Sequence, residues 1–560
     1  MKITKVIVEN YRLFNVKTSL DFESLCALVG ENGTGKTSIL EAISLATSKY
    51  YVTSRLGEGD FSNDDNIRIR LEFDKPFISV VPDGWYDLHV PCKEVVLVIG
   101  RRKQSAAGKA LNDDFTVNHF TVPVLYEDVS STTLELPEGA LQDRLPLAIK
   151  TSTENNEPTY KYTLIRNNDK QTTKNLDTRS LQITNELIGF PNVFYFEKDR
   201  EKEIRKGYGS LTSKIIQDLN WRYRKDFVEG DAVPLWEPYY QNVVDAVEDK
   251  KRNRILIPLQ EKMVDFFGEE YRNLELSLLD IVRPFSDAYF SLREPTHAKQ
   301  IAGAYLGSGE TMILSYYLLR VISELSKEEI IFLIDEPEMH LHPQAQRKLF
   351  EEMKSSSVQF IYTTHSDLFV DISKWQSIIR FTKQGWFPTQ DVLNESTPDG
   401  LTIKDCLERI KSQYQDKRIF IRENNEVMFA RKCLLVEGTM DKHGLPALAD
   451  KLGTPLGDCT VISCLGKPNI HYFEKLCKAF NIDFFVIYDR DGAGADNLIE
   501  ELASANVASF TTSLEDCLSL TGKNKTFKGL QKIDTISLTD IAQEIKDVVD
   551  KINVWLSSST

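Results

Sequence analysis

The sequence predicts an α/β protein built on parallel sheets, with a β-rich lobe and a helical insertion inside its first part and a second, smaller α/β domain at its end. Three observations carry this expectation. A complete phosphate-binding loop, Gly30-Glu31-Asn32-Gly33-Thr34-Gly35-Lys36-Thr37, directly follows the apolar residues 25–29. Far downstream, Ile330-Ile331-Phe332-Leu333-Ile334 runs without a polar residue into Asp335-Glu336, which is how a parallel strand buried on both faces reads. Near the end the design recurs: apolar residues 433–436 stop at Glu437, and Phe484-Phe485-Val486-Ile487-Tyr488 stops at Asp489-Arg490-Asp491.

Bulk properties bound the answer without deciding it. At 560 residues the chain exceeds one core, and domains of ~100–200 residues imply three or four units. A hydrophobic content of 41% and a charged content of 27% describe an ordinary globular chain. No apolar run approaches the ~18–20 residues of a membrane helix. Met1-Lys2-Ile3-Thr4-Lys5 leads straight into strand-like alternation with no apolar leader, so a cytoplasmic location without membrane partners is expected. Eight cysteines lie scattered with no C-x-x-C pair, which speaks for reduced thiols against a zinc site or a disulfide framework. The net charge of −15 argues weakly against a surface basic all over.

Along the chain, Ile3, Val6 and Val8 begin a strand, and residues 38–48 carry helical spacing after the loop. From about 65 to 185, short alternating segments such as Ile67-Arg68-Ile69-Arg70-Leu71-Glu72-Phe73 are parted by Pro, Asn, Asp and Gly clusters, the pattern of a β-rich lobe; residues 152–158 read as an exposed loop. Residues 206–290 carry apolar positions at helical spacing among many charges, including Arg222, Arg224, Lys225, Lys250, Lys251, Arg252 and Arg254. A solvated helix face and a nucleic-acid contact explain those charges equally well. The expected organisation is therefore 1–205, an insertion at 206–290, a return to α/β at 291–425 that includes a connector, and a compact block at 426–560.

The loop at 30–37 fits G-x-x-x-x-G-K-[ST] completely. Its glycines let backbone N–H groups converge on phosphate oxygens at a helix N-terminus, where the potential favours an anion. Asn32, Gly33, Thr34 and Gly35 form that cradle, Lys36 reaches the β- and γ-phosphates, and the Thr37 hydroxyl suits Mg²⁺. Asp335 stands where a strand end would hold the Mg²⁺, and Glu336 where an acid would polarise the attacking water. The next apolar strand, residues 358–362, ends in Thr363-Thr364-His365-Ser366, which offers His365 for a γ-phosphate contact. Gly307-Ser308-Gly309-Glu310 opens a further helical run with small residues able to meet phosphate.

In that order these motifs resemble the ABC ATPase superfamily, in its soluble branch of chromosome-maintenance, repair and OLD-type ATPases. Ile7-Val8-Glu9-Asn10-Tyr11-Arg12-Leu13-Phe14 and Asp335-Glu336-Pro337-Glu338-Met339-His340-Leu341-His342-Pro343 look like that branch's motifs. The resemblance implies ATP with Mg²⁺, and a homodimer or higher homo-oligomer in which Gly307, Ser308 and Gly309 complete the opposite protomer's site. Residues 193–200 fall where such ATPases have a Gln-bearing strand, yet they contain no Gln.

In the terminal block, Glu437-Gly438 follows an apolar strand with Asp441 four residues on, so a turn into a helix lets both acids face one pocket. Asp489 and Asp491 alternate at a second strand end, and Glu515-Asp516 follow; such carboxylates suit hard cations, Mg²⁺ or Mn²⁺. Together they resemble a Toprim domain of Rossmann-like fold, in its nuclease version. ABC ATPase followed by Toprim resembles the OLD family of nucleases, including subunits of Gabija-type and retron-associated antiphage systems. That resemblance implies an ATP-regulated two-metal DNA endonuclease, with Glu437, Asp441, Asp489, Asp491 and Glu515 as ligands and Glu437, Asp489 and Asp491 catalytic. An assisting lysine is implied too, for which Lys523, Lys525 and Lys528 compete. The implied partners are DNA and a helicase or a retron reverse transcriptase with its RNA–DNA product.

A rival from the binding class is an ATP-dependent DNA clamp or sensor whose Toprim domain only docks a partner. A topoisomerase would need a nucleophilic Tyr on a separate DNA-cutting domain, and a primase a polymerisation site; neither is evident. The C-terminal acids set a transporter ATPase aside.

Overall fold

A computed structural model describes residues 1–50, 52–84, 86–101, 115–129, 134–154, 157–166, 170–198, 253–277, 289–293, 300–302, 308–326, 329–396, 400–414, 424–457, 459–490, 506–520 and 524–558. It divides into two compact units: Met1–Cys26 with Gly35–Thr364, and Ala27–Thr34 with His365–Thr560.

The first unit opens with β1 (Ile3–Glu9) and β2 (Thr18–Asp21) and includes helix α1 (Lys36–Thr47), while of β3 (Leu25–Gly30) only Leu25 and Cys26 belong to it and the rest to the second unit. A bulge between Ile3 and Lys5 explains why Ile3 and Val6 are both buried despite their odd spacing. Next come the long strands β4 (Ile67–Asp83) and β5 (Tyr86–Arg101), then β6 (Phe115–Pro123), in the antiparallel order β2-β1-β4-β5-β6. In β4, Ile67, Ile69, Leu71 and Phe73 point inward and Arg68 and Arg70 outward, which is the alternation of a one-sided sheet. A second antiparallel sheet follows: β7 (Ala148–Glu154), β8 (Glu157–Arg166) and β9 (Lys170–Leu176). The β-rich lobe is therefore present. Of residues 152–158, expected as a loop, 152–154 and 157–158 are strand, with Ser152–Thr159 and Glu154–Glu157 as ladder pairs of β7 and β8, and 155–156 lie outside the described residues. Thr and Tyr suit a pleated strand there, and the polar composition of the segment disguised it.

After β10 (Leu187–Ile188) comes a parallel series. β11 (Asn192–Phe196) pairs with β15 (Ile330–Asp335), and β15 pairs with β16 (Gln359–Thr363). Every residue of β15 and of β16 is buried. Of the expected insertion at 206–290, only 253–277 and 289–290 are described, and of the seven basic residues named above only Arg254 is among them. Helix α2 (Asn253–Phe267) buries Leu256, Leu259, Met263 and Phe266 at helical spacing. The helical reading ends there: β12 (Leu274–Ser277), β13 (Tyr289–Arg293) and β14 (Gln300–Ala302) form a three-stranded antiparallel sheet. Helix α3 (Ser308–Ser326) sets Tyr316 edge-on to Phe332 of β15 at 5.1 Å, and Phe332 stacks on Phe360 of β16 at 5.3 Å. Helix α4 (Pro343–Ser355) starts with Pro at its first turn, where the missing N–H costs nothing.

In the second unit β3 pairs in parallel with β17 (Ile378–Thr382), which turns back into β18 (Gly385–Phe387). Helices α5 (Gln390–Leu393) and α6 (Ile403–Tyr414) follow. Then comes a four-stranded parallel sheet of order β20-β19-β21-β22, made of β19 (Lys432–Val436), β20 (Cys459–Ser463), β21 (Asp483–Asp489) and β22 (Val507–Phe510). Helix α7 (Thr439–Lys451) joins β19 to β20, and α8 (Ile470–Ala479) joins β20 to β21. Helices α9 (Leu514–Cys517), α10 (Lys525–Thr535) and α11 (Gln543–Ser558) complete the unit. Its core joins Leu434, Val436, Leu445 and Phe485 to Phe510, Ile552 and Trp555, each buried large side chain contributing roughly 1.5–3 kcal/mol.

Arg380 of β17 is buried at 5% exposure. Its guanidinium donates to the carbonyls of Met428, Ala430, Phe480 and Asn481 at 3.3, 2.7, 2.8 and 2.8 Å. Burial lowers its pKa from the usual arginine value. Nearby, Arg431 Nε pairs with Glu31 of the phosphate loop at 2.6 Å. All eight cysteines are free thiols. No helix among the described residues is long and apolar enough to cross a membrane.

Candidate functional site

The phosphate loop leaves β3 through Gly30, whose φ of +130° no side chain adopts readily. A Cβ there would strike the backbone of Phe381. In the second unit Asn32 and Gly33 are exposed, and Thr34 Oγ1 donates to the Glu31 carbonyl at 2.8 Å. In the first unit Gly35, at φ +100°, lies under the Phe14 ring, so the N-terminal motif works by packing: a Cβ at 35 would fall 2.8 Å from that ring. Arg12 of the same motif pairs with Glu41 on α1 and with Asp60 at 2.7 Å. These contacts hold α1, whose first residues Lys36 and Thr37 carry the site.

Thr37 Oγ1 donates to both oxygens of Asp335, at 3.1 and 3.2 Å. The Thr363 hydroxyl at the end of β16 donates to Asp335 as well, and accepts the Glu336 N–H at 3.0 Å. Thr363 therefore orients both acids, a role that strand-end position alone did not single out. Glu336 takes φ +49°, which turns its side chain off the strand direction at a cost of order 1 kcal/mol. Lys198, just past β11, pairs with Glu336 Oε1 at 2.8 Å, and that bond raises the lysine's pKa. A cation thus occupies the position where the expected Gln is missing. A buried carboxylate joined to a hydroxyl fits Mg²⁺, a cation that takes oxygen donors.

Gly309 is required at the start of α3, because a Cβ there would lie 2.6 Å from the His340 carbonyl. Ser308 is the first residue of that helix, and Gly307 lies outside the described residues. His365 is exposed and opens the sequence after Thr364.

In the second unit the strand order puts β19 between β20 and β21, so the chain reverses direction across the sheet beside β19, where open α/β sheets bind ligands. Glu437 directly follows β19 and Asp489 ends β21, and the Asp489 N–H approaches Glu437 Oε2 at 3.4 Å. Asp441 sits in the first turn of α7, where its Oδ2 accepts the Gly438 N–H at 3.0 Å. Its other oxygen, Oδ1, is buried without a hydrogen-bond partner among the described residues. Burial, then the charges of Glu515 and Glu437, push the Asp441 carboxyl up to about 7, against the Gly438 N–H, which pulls it down.

Gly466 donates its N–H to the Glu437 carbonyl at 2.8 Å. The buried Lys467 ammonium donates to the Asp489 carbonyl at 2.6 Å and lies 5.2 Å above the Tyr488 ring. Sequence reading passed over Lys467 because only the fold brings it to β21. Asp491 and Lys523 lie outside the described residues, while Lys525 and Lys528 stand exposed on α10. Among the described residues no three acids, His or Cys stand close enough to hold an ion as drawn. The donors fit one chemically nonetheless: all are carboxylate oxygens, and Asp441 Oδ1 is an acceptor that no described residue fills.

A phosphate loop with a strand-end acid pair defines a P-loop ATPase, and acids at a switch point on a four-stranded parallel sheet define a Toprim fold. The chain belongs to the family whose model is described as AAA ATPase domain, which matches residues 1–370, and the model described as Overcoming lysogenization defect protein-like, TOPRIM domain, matches residues 428–491. It is 24% identical over 520 residues to an OLD nuclease of Thermus scotoductus, covering 89% of this chain and 84% of that one. It is 25% identical over 365 residues to the Old nuclease of Escherichia phage P2, covering 60% of each. Among solved structures, an Smc head domain with an extended coiled coil from Pyrococcus furiosus is 13% identical with a TM-score of 0.36, covering 73% of this chain and 99% of that one.

Proposed function

We propose that this ATPase–Toprim protein is a metal-dependent DNA endonuclease whose cleavage is controlled by ATP. The observation that carries the reading is Asp441: a buried carboxylate oxygen without a partner among the described residues, beside two further acids, at the switch point of a parallel sheet. A merely structural acid would be paired, because an unpaired buried acceptor costs roughly 1–3 kcal/mol. A partner-docking role for the Toprim domain gives no reason to retain that cost.

In this reading Lys36 and the loop hold the triphosphate, and Thr37 and Asp335 hold its Mg²⁺. Glu336 orients the attacking water once Lys198 releases it, and His365 meets the γ-phosphate. Glu437, Asp441, Asp489, Asp491 and Glu515 hold divalent cations beside the DNA. Bound there, Mg²⁺ or Mn²⁺ supplies the charge that activates water and stabilises the leaving oxygen. Lys467 keeps the Asp489 backbone in place. Gly307, Ser308 and Gly309 complete the ATP site of a second protomer, and the segment at 206–290 serves dimerisation. The resemblance to antiphage nuclease subunits supports a cytoplasmic defence setting, with a helicase or retron reverse transcriptase as partner, testable by co-purification.

Supercoiled plasmid incubated with Mg²⁺, Mn²⁺ or chelator tests the chemistry. Wild type nicks it only with metal, and Asp489→Ala abolishes nicking while ATP binding persists. Nicking that survives Asp489→Ala or chelator places the chemistry elsewhere.

A further inference from the structure

Strand β11 brings an ammonium level with the acid pair. In its parallel pairing with β15, Phe196 stands opposite Ile334, so two residues further on Lys198 comes beside Glu336. The side chains meet there, Lys198 Nζ to Glu336 Oε1 at 2.8 Å. Asp335 and Glu338 attract the same ammonium. Ion pairs at a protein surface are often incidental and add little to stability. Two features set this one apart. The lysine side chain is 56% exposed and its acid only 16%, so the ammonium is the partner that can swing away. The acid also adjoins the proposed metal donors. Thr37 Oγ1 donates to Asp335 at 3.1 and 3.2 Å, and Thr363 Oγ1 bonds both Asp335 and the Glu336 N–H.

The pair is at odds with hydrolysis. An ammonium in contact with a carboxylate stabilises its ionised form, which makes Glu336 a weaker base toward water. Hydrolysis therefore needs something that draws Lys198 off. Mg²⁺ on a P-loop threonine and a strand-end aspartate bridges the β- and γ-phosphates, which brings the terminal phosphate of ATP to the strand end that Lys198 serves. That phosphate carries more charge than a carboxylate and more acceptor oxygens, and its hydrogen bonds to cations are among the strong ones. ADP brings no such group.

Building on the reading of Lys36, Thr37 and Asp335 as the nucleotide site, we infer that Lys198 is a γ-phosphate ligand that gives up Glu336 for the terminal phosphate of ATP. The exchange distinguishes triphosphate from diphosphate. It also frees the base only when the bond to be cut is present.

Calorimetric titration of the full chain with ATP and with ADP, each with Mg²⁺, tests the exchange by affinity. Glu336→Gln is the background, because it slows hydrolysis and removes the charge that competes for the ammonium. In it, Lys198→Met keeps the stem, drops the charge, weakens ATP binding ~10- to 100-fold and leaves ADP binding unchanged. Lys198→Arg keeps most of the preference for ATP. The lysine is mostly in water, so neither substitution threatens the fold. An equal loss for both nucleotides, or no loss for either, overturns the inference and leaves Lys198 a mere counter-ion of Glu336. Lys36→Ala separates the two readings. If it abolishes ATP binding while Lys198→Met keeps the ratio of ATP to ADP affinity, the inference fails and the nucleotide site stands. If Lys36→Ala binds ATP undiminished, the site reading fails and takes the inference with it.

Discussion

Glu474 on α8 is fully buried, and neither of its carboxylate oxygens has a hydrogen-bond partner among the described residues. Burial pushes this carboxyl from 4.5 up to about 8, against the opposing pull of Lys478 and Lys475. Below pH 4.5 the group is protonated whether the chain is folded or not. Between 4.5 and about 8 the folded chain keeps a proton that the unfolded chain has lost, so stability falls as pH rises. Above that window the whole cost is present. At ~1.4 kcal/mol per pH unit the window corresponds to ~5 kcal/mol, and water entry and relaxation around the ionised group reduce this to about 2–5 kcal/mol. Glu474→Gln removes the charge and keeps the shape. Its buried amide carries its own cost of ~1–3 kcal/mol at every pH, so the informative quantity is the change with pH. Calorimetry of both full chains from acid to mildly alkaline pH should show the variant gaining ~5–15 °C in Tm relative to wild type, at ~2–4 °C per kcal/mol for a unit of this size. Parallel pH profiles for the two proteins would refute the reasoning.

Further outcomes follow from the nucleotide site and its assembly. Lys36→Ala abolishes ATP binding measured by calorimetric titration, whereas Glu336→Gln keeps binding and slows hydrolysis ~10²-fold or more; unchanged affinity in Lys36→Ala dismisses the site. Ser308→Arg blocks ATPase activity without lowering Tm, and mixing it with Lys36→Ala chains restores one composite site; full activity in a strictly monomeric preparation contradicts the shared site.

The parallel strands were legible because burial on both faces leaves an uninterrupted apolar run, as in residues 330–334. The acids at their ends were legible because an acid that stops such a run stands out. Asp441 followed from the helical turn after Gly438. Pairings between segments far apart in sequence were not legible. Thr363 beside Asp335, Lys198 on Glu336 and Lys467 on the Asp489 carbonyl are set by which strands neighbour one another, and a threonine or lysine at a strand end carries no local mark of that. The strand residues at 152–154 and 157–158 were missed because such polar strand ends lack the alternation that betrays a half-buried face. Strand β12 and the start of β13 fell inside the segment 206–290 that was read as helical throughout, and strands this short carry too few positions to separate a period of two from helical spacing.

Arg380 bears on how such a protein can be taken apart. Its five N–H donors serve four carbonyls contributed by the residues that lead into β19 and follow α8, and its own strand is hydrogen-bonded to β3, from which the phosphate loop departs. A fragment that begins where the Toprim family model begins, at residue 428, would strip those carbonyls of their donor and open a guanidinium-shaped hole, at ~1–3 kcal/mol for each group left dry. The two catalytic modules are thus not interchangeable beads on a string. Recombination that brings in a new nuclease must carry β17 with it, and then find a partner strand for β17 in the new host.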